Sequence, residues 1–122
     1  MRLLVDTSVW ADHLRRSDPV LAMELEHRAV LIHPWVIGEL ACCRIRGRVR
    51  ILQLLHDLPQ ASVATTQEVL HLIDSRQLMA RGIGYLEAQL LASCLLEAAH
   101  LWTRDPALRT VAGELDLLAS HP

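Results

Sequence analysis

Short apolar runs, each followed by a stretch with helical spacing, set the architecture that this chain can adopt. Leu3-Leu4-Val5 predicts a buried strand and stops at Asp6-Thr7-Ser8, three residues that also favour helix N-caps. Helices are predicted over 9–16 and 20–27, the second started by Ser17-Asp18-Pro19 because proline suits a first helical turn. A strand follows at 29–32. His33-Pro34 then opens a helix to about Ile45, Gly47 breaks it, and 48–56 forms the next. Residues 61–64 predict a minor strand, 65–81 and 85–99 two helices, 100–103 a strand, 106–112 a helix and 115–118 a last strand. Short apolar strands alternating with helices imply an α/β fold: a three-layer α/β/α sandwich around a short, mainly parallel sheet. At 122 residues the chain suits one domain spanning 1–122.

Four carboxylates fall where such a fold gathers its ligands. Asp6 closes the first strand and Asp105 follows the run Leu101-Trp102, so both sit beyond the carboxyl ends of strands. Glu39 and Glu87 interrupt apolar stretches, where an unpaired charge is costly. Taken singly, Asp6 and Asp105 could be helix caps, and the glutamates could pair with arginines of neighbouring helices. Taken together, they suggest oxygen ligands for a hard divalent cation, Mg²⁺ or Mn²⁺. Such an ion makes a water more acidic and polarises a phosphoryl oxygen, which points to phosphodiester hydrolysis.

The remaining composition narrows the partners. A net charge of -2 lacks the global signature of a nucleic-acid binder, so contact with phosphate needs a local patch. Every basic side chain is arginine, which removes any lysine-dependent chemistry and argues against a phosphoryl-accepting receiver domain. Three cysteines, Cys42, Cys43 and Cys94, without a secretion signal point to a reducing, cytoplasmic setting and to ordinary buried or half-buried thiols. No apolar run is long enough to span a bilayer. Seven histidines show no zinc spacing and are expected at surfaces and caps.

Four segments carry a family resemblance. Leu3-Leu4-Val5-Asp6-Thr7-Ser8-Val9-Trp10 resembles the opening of PIN-domain nucleases, and Val36-Ile37-Gly38-Glu39-Leu40 resembles their second acidic motif. The run from Gly82 to Ser93 resembles the third, and Leu101-Trp102-Thr103-Arg104-Asp105 the fourth. Asp-Thr-Ser alone is a weak signal; all four in order are a specific one, and the match is nearest to VapC-type toxins. The resemblance implies a metal-dependent endoribonuclease, a small VapB-like antitoxin partner and a homodimer. It carries metal-ligand or water-holding roles to Asp6, Glu39 and Asp105, and pocket hydroxyls to Thr7 and Thr103. In the third motif Glu87 stands where the family usually has Asp. The extra methylene moves the carboxylate by roughly one bond length, ~1.5 Å, a distance to which catalysis is sensitive.

Arg44, Arg46, Arg48 and Arg50 cluster around Gly47 and supply the local patch, for phosphates or as a solvated turn. Arg81 and Arg104 flank acidic motifs and are candidates to hold RNA phosphate or to pair with a carboxylate. Trp10, Trp35 and Trp102 lie in apolar runs, which predicts core packing over base stacking. Trp10, Leu14, Leu21, Leu25, Leu52 and Leu55 exceed what one small core needs and suggest an interface for an antitoxin helix or a second copy. The sequence thus leads to a toxin-type endoribonuclease using a Mg²⁺- or Mn²⁺-activated water, with Asp6, Glu39, Glu87 and Asp105 around the ion. The alternative is an attenuated PIN-like domain that binds RNA or protein, motivated by Glu87.

Overall fold

A computed structural model describes all residues, 1–122. Its centre is β1 (Leu3–Val5), every side chain of which is buried. Such a strand, covered on both faces, needs the uninterrupted apolar run the sequence provides. β2 (Val30–Leu31) pairs with one edge of β1 and β3 (His100–Trp102) with the other, both parallel, giving the order β2-β1-β3. Leu3 faces Val30 on one side and His100 on the other, and Val5 faces Trp102. All three carboxyl ends therefore open on the same edge. From β1 the chain moves to β2 on one side and then crosses to β3 on the other, so the strand order reverses beside β1, where parallel sheets accept ligands.

Seven helices surround the sheet: α1 (Thr7–Arg15), α2 (Pro19–Glu26), α3 (Pro34–Ala41), α4 (Arg48–His56), α5 (Thr66–Arg76), α6 (Tyr85–Glu97) and α7 (Pro106–Glu114). Their starts are chemically marked. Asp18 accepts the backbone N–H of Val20 and Leu21 with Pro19 at the first position, and Thr65 and Glu68 form a reciprocal capping box. α5 packs on α6, α3 on α1 and α4, and α6 on β3, closing an aliphatic core that includes Leu3, Leu4, Leu21, Leu40, Leu90, Leu91 and Leu101. None of the helices is long and apolar enough to cross a membrane.

Several boundaries differ from the sequence expectation, each for a local reason. The helix expected to reach Arg81 stops at Arg76, because Gln77 takes a left-handed conformation (φ 54°) and the chain turns. The helix expected to reach Ile45 stops at Ala41. Tighter bonds from Cys42 N to Glu39 O and from Cys43 N to Leu40 O end it. Cys42 and Cys43 consequently lie exposed beyond the helix rather than buried, whereas burial pushes the Cys94 thiol up to about 12. The expected strand at 61–64 is absent, with a single bridge just before it between Ile32 and Gln60, and that at 115–118 shrinks to the bridge of Leu101 to Leu118. In the first, the Gln89 side chain takes over both backbone groups of Ala64. In the second, Asp116 is left-handed (φ 58°) straight after α7.

Candidate active site

The C-terminal end of β1 fixes Asp6. Its backbone N–H still donates to Trp102 O at 2.9 Å, so sheet pairing holds the residue to the point where α1 begins. Asp6 occupies the N-cap position of α1, yet its side chain makes no capping bond. Instead Oδ2 accepts the Thr103 hydroxyl at 2.7 Å and the Ser8 hydroxyl at 2.9 Å. The carboxylate is 7% exposed and has no cationic partner. A cap alone would not need this arrangement.

Hydroxyls also knit the two strand ends together. Thr103 Oγ1 accepts the Asp105 N–H at 3.1 Å while donating to Asp6, and Ser8 Oγ accepts the Arg104 N–H at 3.1 Å while donating to Asp6. Asp105 does act as a cap: Oδ2 accepts the Leu108 N–H at 3.0 Å at the start of α7. Glu39, exposed on α3, accepts the Thr7 hydroxyl at 2.5 Å. Glu87, half-buried in the first turn of α6, folds back so that its carboxylate lies 3.4 Å from where a Cβ on Gly84 would stand. Neither glutamate pairs with an arginine. Asp6, Glu87 and Asp105 all sit at helix N-termini, where the helix dipole favours negative charge.

The fit to a divalent cation divides into two parts. The donors are all carboxylate and hydroxyl oxygens, the set that Mg²⁺ and Mn²⁺ prefer, and their charges are not neutralised by arginine. As placed, no three of the His, Cys, Asp and Glu side chains come together as a ready-made cage. Since Mg²⁺ usually takes one or two carboxylates and keeps its waters, the donor chemistry suits the ion without a closed cage.

Of the candidate substrate arginines, Arg44, Arg46 and Arg48 are exposed, make no ion pair, and stand where α3 passes into α4. Arg81 instead clasps Glu114 with two bonds, at 3.1 and 2.6 Å. Arg104 lies between Asp12 (2.7 Å) and Asp18 (2.6 Å), against the Trp102 ring. Its guanidinium holds both aspartates below their ordinary range, and they in turn raise the arginine. For Arg81 and Arg104 the structure fills the carboxylate-pairing alternative.

Three features escaped the sequence reading. Ser8 looked like a cap and proves to be a second hydroxyl on Asp6. His33 is fully buried: Nδ1 accepts the Trp35 N–H at 3.0 Å, capping α3, so Nε2 carries the proton and faces Gln89 Oε1 at 3.3 Å. Gln89 in turn bonds both backbone groups of Ala64, at 2.7 and 3.0 Å. A polar amide inside the apolar run of α6 was the available signal, since buried amides need partners. The expectation for Trp35 is overturned. It is 37% exposed on the first turn of α3, where it meets the exposed Tyr85, while Trp10 and Trp102 are in the core as expected.

Comparison with known proteins identifies the family and the fold. No protein-family model matches the chain. Ribonuclease VapC32 of Mycobacterium tuberculosis, from the CDC 1551 / Oshkosh and the ATCC 25618 / H37Rv strains, is 45% identical over 113 residues, 92% of this chain and 91% of the relative. The crystal structure of PAE2754 from Pyrobaculum aerophilum superposes with a TM-score of 0.64 over 95% of this chain and 96% of that one, at 17% identity, and so shares its PIN-type fold. With 45% identity over 92% of its length, the chain belongs to the VapC family of PIN-domain ribonucleases, the toxins of type II toxin–antitoxin systems.

Proposed function

We propose that this VapC-family protein is a Mg²⁺- or Mn²⁺-dependent endoribonuclease that acts on cytoplasmic RNA and is restrained by a VapB-like antitoxin. The observation that carries the reading is Asp6. A nearly buried carboxylate at the end of the central strand is aimed by two hydroxyls and left without a cation, although Arg104 is its close neighbour in the fold. A bound divalent ion supplies the positive charge that polarises a phosphoryl oxygen and lowers the pKa of a water. Asp6, Glu39, Glu87 and Asp105 are the residues to hold it. Thr103 and Ser8 fix the direction of Asp6, and Thr7 gives Glu39 a single hydroxyl contact. Arg44, Arg46 and Arg48 are free to contact phosphates, whereas Arg81 and Arg104 would first have to release their carboxylates.

An apolar groove of about 230 Å³ supports the antitoxin part of the reading. Trp10, Leu14, Leu25, Ile51, Leu54 and Leu55 line it, joining α1, α2 and α4. Its apolar lining suits the apolar face of a helix, and Trp10 Nε1 is buried without a partner there. A homodimer is the further assembly we propose. The half-exposed Leu70, Leu95 and Leu96 of α5 and α6 supply a separate apolar face for it.

Cleavage of RNA by antitoxin-free protein, with Mg²⁺, Mn²⁺ or EDTA, tests the reading. Cutting that EDTA abolishes and that Asp6→Ala removes supports it. Cutting that survives both overturns it. A second reading, an attenuated domain that binds more than it cuts, is favoured by the folded-back Glu87 and the open ligand set. It requires a large gain in rate for Glu87→Asp.

A further inference from the structure

All the exposed Trp and Tyr surface of this chain lies in one place, on the two helices that carry Glu39 and Glu87. The sequence has no Phe, one Tyr and three Trp. Trp10 and Trp102 are 3% and 0% exposed, whereas Trp35 and Tyr85 are 37% and 40% exposed. These two meet with ring centroids 5.8 Å apart, tilted by 40°, and the buried His33 ring backs Trp35 edge-on at 6.0 Å. Trp35 stands in the first turn of α3, one turn before Glu39 and so on the same helix face. Tyr85 is the first residue of α6, in the turn that carries Glu87. Elsewhere the exposed large apolar side chains are aliphatic or methionine: Met23, Val49, Leu54, Leu70, Met79, Leu95 and Leu96 among them.

We propose that Trp35 and Tyr85 form a stacking shelf for one unpaired RNA base beside the scissile phosphate. The inference rests on the endoribonuclease reading and adds a substrate subsite to it. Aromatic faces bind single-stranded bases with little sequence preference, because every base offers a π-face. The two rings touch one another and leave no slot between them, so the base packs over their outer surface. Indole and phenol also keep a polar edge in water, which lets a half-exposed ring persist until a base covers it. The helix geometry places the shelf next to Glu39, so the base fixes the position of the adjoining phosphate relative to the carboxylates. Trp35 and Tyr85 are binding residues in this proposal and take no part in the bond-breaking step.

Of the three indoles only Trp35 is exposed to a bound base, so the change in tryptophan emission on binding reports on the shelf. The probes are single-stranded oligoadenylate and an abasic ribose-phosphate oligomer of the same length, titrated into the full-length protein with EDTA so that the strand is bound without being cut. Oligoadenylate is expected to change the emission and the abasic oligomer to leave it unchanged. Trp35→Phe should bind oligoadenylate within a few-fold of wild type but lose the signal. Trp35→Ala should bind roughly five- to 150-fold more weakly, the range that stacking contributes per base, with Tyr85→Ala showing a smaller loss. Unchanged affinity in Trp35→Ala, an equal response to the abasic oligomer, or no binding of oligoadenylate overturns the shelf. So does a change confined to the oligomeric mass of Trp35→Ala, which assigns these rings to a second copy. Metal-dependent cleavage of bulk RNA by wild type, measured beside these titrations, reports separately on the endoribonuclease reading.

Discussion

Asp6 and Asp105 leave the backbone where strands stop, whereas Glu39 and Glu87 stand on helices, and the two pairs are held in different ways. Around Asp6 the backbone is tied into the sheet, and one carboxylate oxygen receives hydroxyls from two separate segments. Asp105 has its N–H on the Thr103 hydroxyl and its carboxylate on a helix N–H. Glu39 has a single hydroxyl contact, and Glu87 rests against Gly84 with no hydrogen bond. Short aspartates on strand ends are thus fixed in direction, and long glutamates on helices can swing. A site built this way has one rigid side and one compliant side, a division that substitutions can test.

The largest effect is expected on the rigid side. Asp6→Ala should lower cleavage by at least about a hundredfold, more than the 10–100-fold typical of residues that only orient a ligand. Circular dichroism and a thermal melt should show the fold intact, because the β1 ladder uses the backbone of Asp6 alone. Next comes Thr103→Val, which keeps the shape of a buried side chain but removes a donor to Asp6 and the acceptor of the Asp105 N–H. It should cost roughly 10–100-fold in activity or Mn²⁺ affinity. The matching change on the compliant side, Thr7→Val, should cost only a few-fold. Equal losses from the two valines, measured as kcat/KM, would erase the distinction.

The rigid side was also the more legible in the sequence. Leu3-Leu4-Val5-Asp6 states in four residues a buried strand and the acid at its end, because a two-sided strand leaves no polar alternative. Leu101-Trp102 and Asp105 repeat that logic. The compliant side was readable only as acids out of place in apolar helices. Thr103 was expected as a pocket hydroxyl only through the family resemblance, since the parallel register alone brings it to Asp6, and Ser8, two residues from Asp6, was read as a cap. The partners of Arg104 were not legible, since Asp12 and Asp18 lie far away in sequence on either side of the α1–α2 turn. Trp35 was misjudged because an apolar run looks alike whether it enters the core or skirts it; only the start of α3 at Pro34 decides which face the indole takes.

Beneath the two glutamate-bearing helices the buried pair His33 and Gln89 joins the cap of α3 to α6 and to Ala64, so the swing of the glutamates lies in their side chains. Gln89→Leu leaves both backbone groups of Ala64 and the His33 N–H without partners, so it should destabilise the protein by about 2–3 kcal/mol or more. Burial lowers the pKa of His33 from its ordinary 6.5, against a smaller upward pull from Gln89. The unfolded chain then binds the proton more readily, so stability is complete above pH 6.5 and declines as pH falls through the window beneath it. Protonation also removes the Nδ1 acceptor of the α3 cap. Melting temperature followed downward from neutral pH should therefore fall, and His33→Asn, which can still cap, should flatten the slope. His13, lowered likewise by burial, supplies the residual slope. A profile unchanged by His33→Asn would remove His33 from this role.

Glu87→Asp should have the smallest effect if the compliant side is what its geometry indicates. Shortening the side chain withdraws the carboxylate by about 1.5 Å, which on a rigid strand end would be severe. Glu87 stands in the first turn of α6, beside a glycine that leaves room above it, with no hydrogen bond to lose. The helix dipole favours either acid there. A change in kcat within about threefold, with Mn²⁺ affinity shifted no more, fits a ligand that swings to meet the ion and makes Glu87 a working replacement for the aspartate usual in the family. A rise of a hundredfold fits the opposite: α6 then holds its acid as stiffly as β1 holds Asp6, and the natural chain is an attenuated nuclease whose binding outlasts its turnover. The size of that one rate change separates a compliant glutamate from a misplaced one.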